Sequence, residues 1–149
     1  MKLSRTVVYA IQATLQLAQS KTGAPVPCSQ LAASNAMPER FLLQILRSLV
    51  THGILSSTRG VVGGYMLQRR PQDVTVLDLL EAIEGPLTAS VPSNGSLAEY
   101  TLTKLQKTLE DVTAAKRHEL SQITLADLLP PEDPQANPPS PPAAVNKTC

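Results

Sequence analysis

Residues 38–70 read PERFLLQILRSLVTHGILSSTRGVVGGYMLQRR, and the periodicity changes half way along. Pro38 suits the first position of a helix, and Glu39 its first turn, where a carboxylate meets the positive end of the helix dipole. Phe41, Leu42, Ile45, Leu46 and Leu49 recur at helical spacing and are expected on one buried face, with Arg40, Gln44 and Arg47 on another. Gly53 stops the run, as a glycine just past a last turn does. Beyond it, ILSSTR and YMLQR alternate roughly by twos around GVVGG, the pattern of a β-hairpin. Gly63 and Gly64 can take positive φ, where other residues would strain.

Upstream, CSQLAASN is a short helix of about two turns, and Asn35 and Ala36 break it. A short helix, a tight turn and a second helix with a basic outer face make a helix-turn-helix pattern. A plain helical hairpin with one solvated side has the same pattern. The β-hairpin that follows at once decides for a winged helix. The expected fold is mainly α, with a winged helix-turn-helix domain, a small β-hairpin wing and a long C-terminal helix. In that arrangement the second helix enters a DNA major groove while the hairpin lies over the backbone or the adjacent minor groove. Arg59 then reaches a phosphate or a narrow groove.

Leu3, Val7, Ile11, Leu15 and Ala18 mark a first amphipathic helix over roughly residues 3–20, closed by KTGAPVP. TVLDLLEAIEG is a further helix, with Thr75 and Asp78 as a capping box and Gly85-Pro86 as its stop. After the loop PLTASVPSNG, SLAE at Ser96 to Glu99 is expected to be the capping box of a long helix to about Glu119 or Leu120. Along that helix Ala98, Leu102, Leu105, Leu109 and Val112 form a heptad seam. A seam needs a partner, either the rest of this chain or the same helix of a second subunit, and the commonness of twofold dimers favours the second. ITLADLL is a short last helix capped by Thr124. Seven of the twenty residues from Pro130 to Cys149 are proline, so that segment is expected to be a disordered or extended tail. The domain reading is 1–85 winged helix, 86–95 linker, 96–129 dimerisation and bracing helices, and 130–149 tail.

Apolar residues make up 42% of the 149, enough for a buried core, and aromatics only 3%, which suits helices packed through aliphatic side chains. The net charge of +1 conceals a split: residues 1–73 carry eight basic and two acidic side chains, and residues 74–149 five basic and ten acidic. A basic front half suits a polyanionic partner. The N-terminus has a basic start, but Gln12, Thr14 and Gln16 interrupt its apolar face and no cleavage site follows. No membrane segment or signal peptide is therefore expected, and a cytoplasmic location is. Two cysteines, Cys28 and Cys149, suggest neither a disulfide framework nor a metal site. Cys28 opens the second helix and is a candidate redox sensor, because a helix N-terminus lowers a thiol pKa. The plainer reading packs it beneath Leu31. His52 reads as a helix-end cation and His118 as surface. There is no nucleophile–base pair, and GVVGG lacks the Lys-Ser/Thr of a phosphate loop, so no enzyme is expected.

The order of these parts resembles a family of bacterial winged-helix regulators. It includes the iron–sulfur cluster regulator, the nitric-oxide-sensing repressor and the cysteine-metabolism repressor. The resemblance runs from about Lys2 to Leu129 through YAIQATLQLA, PVPCSQLA, LLEAIEG and ITLADLL. Its specific part is Phe41 to Leu67, with Leu-x-x-x-Gly, Arg-Gly and Gly-Gly-Tyr. It implies a homodimeric DNA-binding transcription factor. Arg40 and Gln44 would face base edges, Arg59 would enter the minor groove, the long helix would make the dimer, and the last helix would brace the partner subunit. The metal-sensing members carry three cysteines in the loop and early dimer helix. Here PLTASVPSNGSLAEYTLTKLQK has no Cys, His or Asp. No cluster, metal or other cofactor is expected, because such clusters need thiolates for most of their ligands.

The expected DNA-binding set is Arg40, Leu43, Gln44, Arg47, Arg59, Gly60, Gly63, Gly64 and Arg69. Gln44 suits adenine, Arg40 guanine or phosphate, and Leu43 a thymine methyl or the core edge. Arg47, Arg69 and Arg70 suit backbone phosphates, as do Lys2 and Arg5. The resulting expectation is a sequence-specific regulator, a repressor, bound to a pseudo-palindrome of double-stranded DNA as a homodimer. A small-molecule effector between the long helix and the DNA-binding domain is left unspecified. The alternative is a protein-interaction module that has lost DNA binding.

Overall fold

The computed structural model describes residues 1–20, 23–92 and 95–131. The expected tail lies almost wholly outside the described residues, as does Cys149. Six α-helices and one hairpin follow in the order α1 (Arg5–Gln19), α2 (Cys28–Ser34), α3 (Glu39–Thr51), β1 (Leu55–Thr58), β2 (Gly64–Leu67), α4 (Val76–Glu84), α5 (Glu99–Gln122) and α6 (Leu125–Leu128). A 3-10 turn at Pro71–Asp73 leads into α4. This is the mainly helical winged-helix architecture, with β1 and β2 antiparallel in register Leu55↔Leu67 to Thr58↔Gly64.

Each helix starts and stops for local reasons. The Ser4 hydroxyl accepts from the Val7 N–H at 3.3 Å and so caps α1. Thr75 and Asp78 cap each other's backbone at α4, and Thr124 and Asp127 do the same at α6. Hydrogen bonds from Thr124, side chain first and backbone second, hold the Asp127 carboxyl below its ordinary pKa. Gly53 has φ +68, the left-handed conformation that ends a helix like α3. The core collects Leu31, Leu42, Leu46, Leu49, Ile54, Leu55, Val74 and Leu79, all fully buried or nearly so. Buried Thr14 satisfies its hydroxyl by donating to the Ala10 carbonyl at 2.9 Å.

Two expectations are corrected. Phe41 is not in the core: it is 37% exposed and meets Tyr9 edge to face, with ring centroids 5.8 Å apart. Helix α5 does not begin with a box at Ser96–Glu99. Its N-cap is Ala98, in extended conformation and without a side-chain cap. Gly63 and Gly64 do not have positive φ; within the wing only Gly60 does. Helix α6 is anchored to its own chain. Its Leu125 is fully buried in the chain's own core. Leu125 N–H donates to the Val74 carbonyl at 2.7 Å, and Val76 N–H to that of Ile123 at 2.9 Å. The segment before α6 is thus laced to the segment before α4, and Leu125 joins the buried cluster formed by the preceding helices.

A strand partner was hidden in PVP, where prolines read as punctuation. Val26 N–H donates to the Tyr65 carbonyl and Tyr65 N–H to that of Val26, each at 2.9 Å. This one bridge ties the root of the wing to the residues just before α2. It also explains Gly64. A Cβ there would lie 2.5 Å from the Val26 carbonyl and 2.9 Å from Pro27 N, so the close approach requires glycine. Gly64→Ala is accordingly expected to lower stability by about 1–3 kcal/mol. Thermal melts check this, and an unchanged midpoint would mean that the bridge slides aside freely.

Candidate nucleic-acid interface

The outer face of α3 is set by its period. Leu42, Ile45, Leu46 and Leu49 point inward, which leaves Arg40, Gln44, Arg47 and Thr51 exposed along one side. Leu43 is half-buried at the edge of that face. Gly53 turns the chain directly into β1, so the wing stands beside the C-terminal half of α3. Between them lies an open groove lined by Arg47, Val50, Thr51, Ser57, Thr58, Arg59, Gly64 and Tyr65. Arg47 and Arg59, far apart in sequence, are brought to one concave surface with three hydroxyl side chains between them. Burial and then Cys28 push the Tyr65 phenol up from its ordinary pKa, against the opposite pull of Arg47, so it stays a protonated donor.

The wing loop is shaped by its glycines. Gly60 takes φ +113, and the Gly63 N–H donates to the Gly60 carbonyl at 3.0 Å to close a tight turn. A Cβ on Gly63 would press on the Thr58 carbonyl and sit 2.8 Å from that of Gly60. Arg59 is exposed at the start of this turn.

Other expected residues fall elsewhere. Arg69 is engaged within the fold: its guanidinium donates to the Asp73 carbonyl and reaches the Asp78 carboxylate at 3.3 Å. That ties it to the start of α4, with its side chain 39% exposed. Arg70 pairs with Asp73 at 2.7 Å. Lys2 and Arg5 lie at the start of α1, in a separate hollow with Glu84. Cys28 is half-buried, with its Sγ 3.9 Å from the Glu39 carbonyl. Burial first, and Glu39 second, push its thiol pKa up, the reverse of the lowering a redox sensor needs.

Sequence reasoning missed the groove hydroxyls of Thr51, Ser57 and Thr58 and the phenol of Tyr65. The run SSTR inside a strand otherwise flanked by apolar residues was the available signal.

The 24-residue helix α5 buries none of its side chains. Leu105, Leu109 and Val112 are 43%, 41% and 58% exposed, so most of the seam is uncovered. The helix is tied to its own chain elsewhere. Arg117 pairs with Glu81 of α4, which also accepts the Leu87 N–H at 2.9 Å. The Gln106 amide donates to the Ala89 carbonyl and accepts the Val91 N–H, each at 3.0 Å, and so clasps the preceding loop.

Comparison with known proteins agrees with this geometry. The family model Rrf2, described as an iron-dependent transcriptional regulator, matches residues 3–131. Rv1287 of Mycobacterium tuberculosis strain H37Rv, whose name assigns it provisionally to the HTH-type transcriptional regulators, is 37% identical over 132 residues, 86% of this chain and 81% of its own length. The structure of CymR, the global cysteine regulator of Bacillus subtilis, superposes with a TM-score of 0.67 at 26% identity, covering 86% of this chain and 95% of that one. IscR of T. potens superposes with a TM-score of 0.65 at 30% identity, covering 86% and 85%. The iron in the family's description asks for a donor set. Between Pro86 and Lys107, Glu99 is the only carboxylate, thiol or imidazole in the sequence. Among the described residues, no three His, Cys, Asp or Glu side chains gather to hold a metal. These residues do not fit an iron or iron–sulfur centre. No helix among the described residues is long and apolar enough to cross a membrane.

Proposed function

Because this chain belongs to the Rrf2 family of transcriptional regulators, we propose that it binds a pseudo-palindromic operator as a homodimer and represses from there. The observation that carries this reading is the meeting of Arg47 of α3 and Arg59 of the wing on one groove, continuous with exposed Arg40 and Gln44. In this reading, α3 presents Gln44 and Arg40 to base edges and Leu43 to a thymine methyl. Arg47 fixes the backbone, Arg59 enters the adjacent minor groove, and Gly60, Gly63 and Gly64 give the wing its shape. Residues 1–85, closed by α6, form the DNA-binding unit. The seam of Ala98, Leu102, Leu105, Leu109 and Val112, half-buried at Leu102 and exposed at its other positions, pairs with its twofold copy. Two recognition helices then sit about one turn of DNA apart, roughly 34 Å.

Selection of bound fragments from genomic DNA with the purified protein tests the proposal. It should return a site with twofold symmetry, bound with strong salt dependence. Arg59→Ala should weaken that binding by about 1–3 kcal/mol in a fluorescence titration. Equal binding of the selected and random duplexes at moderate salt would refute sequence-specific regulation and leave a protein partner as the function of the groove.

A further inference from the structure

Val61 and Val62 occupy the two central positions of the turn that closes the wing. Val61 is fully exposed and Val62 is 82% exposed. Turn centres favour Gly, Pro, Asn, Asp and Ser. Two adjacent branched apolar residues are the opposite choice, and here they support no packing within the chain. They are nevertheless held in place. Gly60 has φ +113, the Gly63 N–H closes the turn on the Gly60 carbonyl, and β1 and β2 pair directly below. A local choice that works against turn propensity and solubility together, on a well-formed turn, marks a surface with another task.

We propose that Val61 and Val62 form an apolar contact with the deoxyribose walls of a DNA minor groove, which the wing enters beside Arg59. The inference rests on the DNA-binding reading and extends it to the tip of the wing. The walls of that groove are sugar C–H surfaces between two rows of phosphate. Arg59, exposed and separated from the valines only by Gly60, supplies the charge that draws the wing to those rows. The valines supply the matching apolar cover. Their side chains are too short to part stacked base pairs as longer apolar wedges do. The contact therefore lies along the groove, and it is best where the groove is narrow enough for both walls to touch, as in A·T-rich DNA. Two valines bordered by an arginine are too small an apolar patch to hold a second protein chain.

The test uses the full chain and the duplex that wild-type protein recovers from genomic DNA. The double variant Val61→Ser/Val62→Ser is compared with wild type and with Arg59→Ala. Neither valine is buried, so the double variant should keep the wild-type melting temperature. Its affinity should fall roughly tenfold, as expected for lost apolar burial. Its dependence of binding on salt should match wild type because no charge is removed, whereas Arg59→Ala should lose about one unit of the log–log slope. Hydroxyl-radical footprints should lose the sugar protection at the wing positions. Wild-type affinity with an intact sugar footprint would overturn the valine contact and leave the DNA-binding reading standing. If wild-type protein recovers no duplex at all, both fall together.

Discussion

Leu125→Ala is expected to lower folding stability by about 2–5 kcal/mol, although Leu125 belongs to a helix of only four residues near the end of the described chain. Leu125 is fully buried in the same cluster as Ala10, Leu31 and Leu79. Truncation removes its contacts and leaves a void that the surrounding helices cannot fill, because the bridge between Thr75 and Thr124 holds the backbone in place. Denaturant titration reads the effect as a lowered midpoint with an unchanged slope. A loss below about 0.5 kcal/mol would place Leu125 among ordinary surface positions and show that α6 detaches without disturbing the core.

The second large effect belongs to α5. Leu105→Asp combined with Leu109→Asp should leave the isolated chain folded, since both side chains are already partly open to solvent. In the proposed dimer the same two changes set like charges across a seam built for apolar contact. The variant should sediment as a single chain and bind its operator about 10²–10⁴-fold more weakly, the loss that follows when two linked binding events become independent. A folded double variant that still sediments as a dimer would move the interface elsewhere on the molecule.

Most of the architecture was legible because its signals are local. The apolar period of α3, Gly53 at its end, the Thr75–Asp78 box and the alternation on either side of GVVGG depend on neighbours within a turn or two. What the sequence did not reveal is decided by distant backbone. Gly64 is required by an approaching carbonyl from Val26, which no reading of its own neighbours reveals. Leu125 is buried because residues 123–125 lie against residues 74–76, a pairing set by the whole chain path. Phe41 satisfied the helical period yet falls at the margin of the buried face, where Tyr9 shields only one edge. At the candidate interface, charge and helical spacing singled out Arg40, Gln44, Arg47 and Arg59, and all four are exposed. The pairing of Arg69 with Asp78 was not legible, because its acidic partner comes from the following helix.

The ties of α5 are spread unevenly along its length. Arg117 and the descent into α6 moor its C-terminal end to the body of the chain, while the seam from Leu102 to Val112 lies toward the other end, where Gln106 holds the preceding loop. Leu102 lies roughly 22 Å along the axis from Arg117 at the rise of an α-helix. A tilt of about 10° at the moored end would therefore carry Leu102 sideways by roughly 4 Å on that lever arm. In a twofold assembly such a swing is doubled between the paired subunits. In the proposed dimer the helix would work as a spar: angular play at the Glu81 mooring would set the span between the two reading heads, and with it the DNA spacing they straddle.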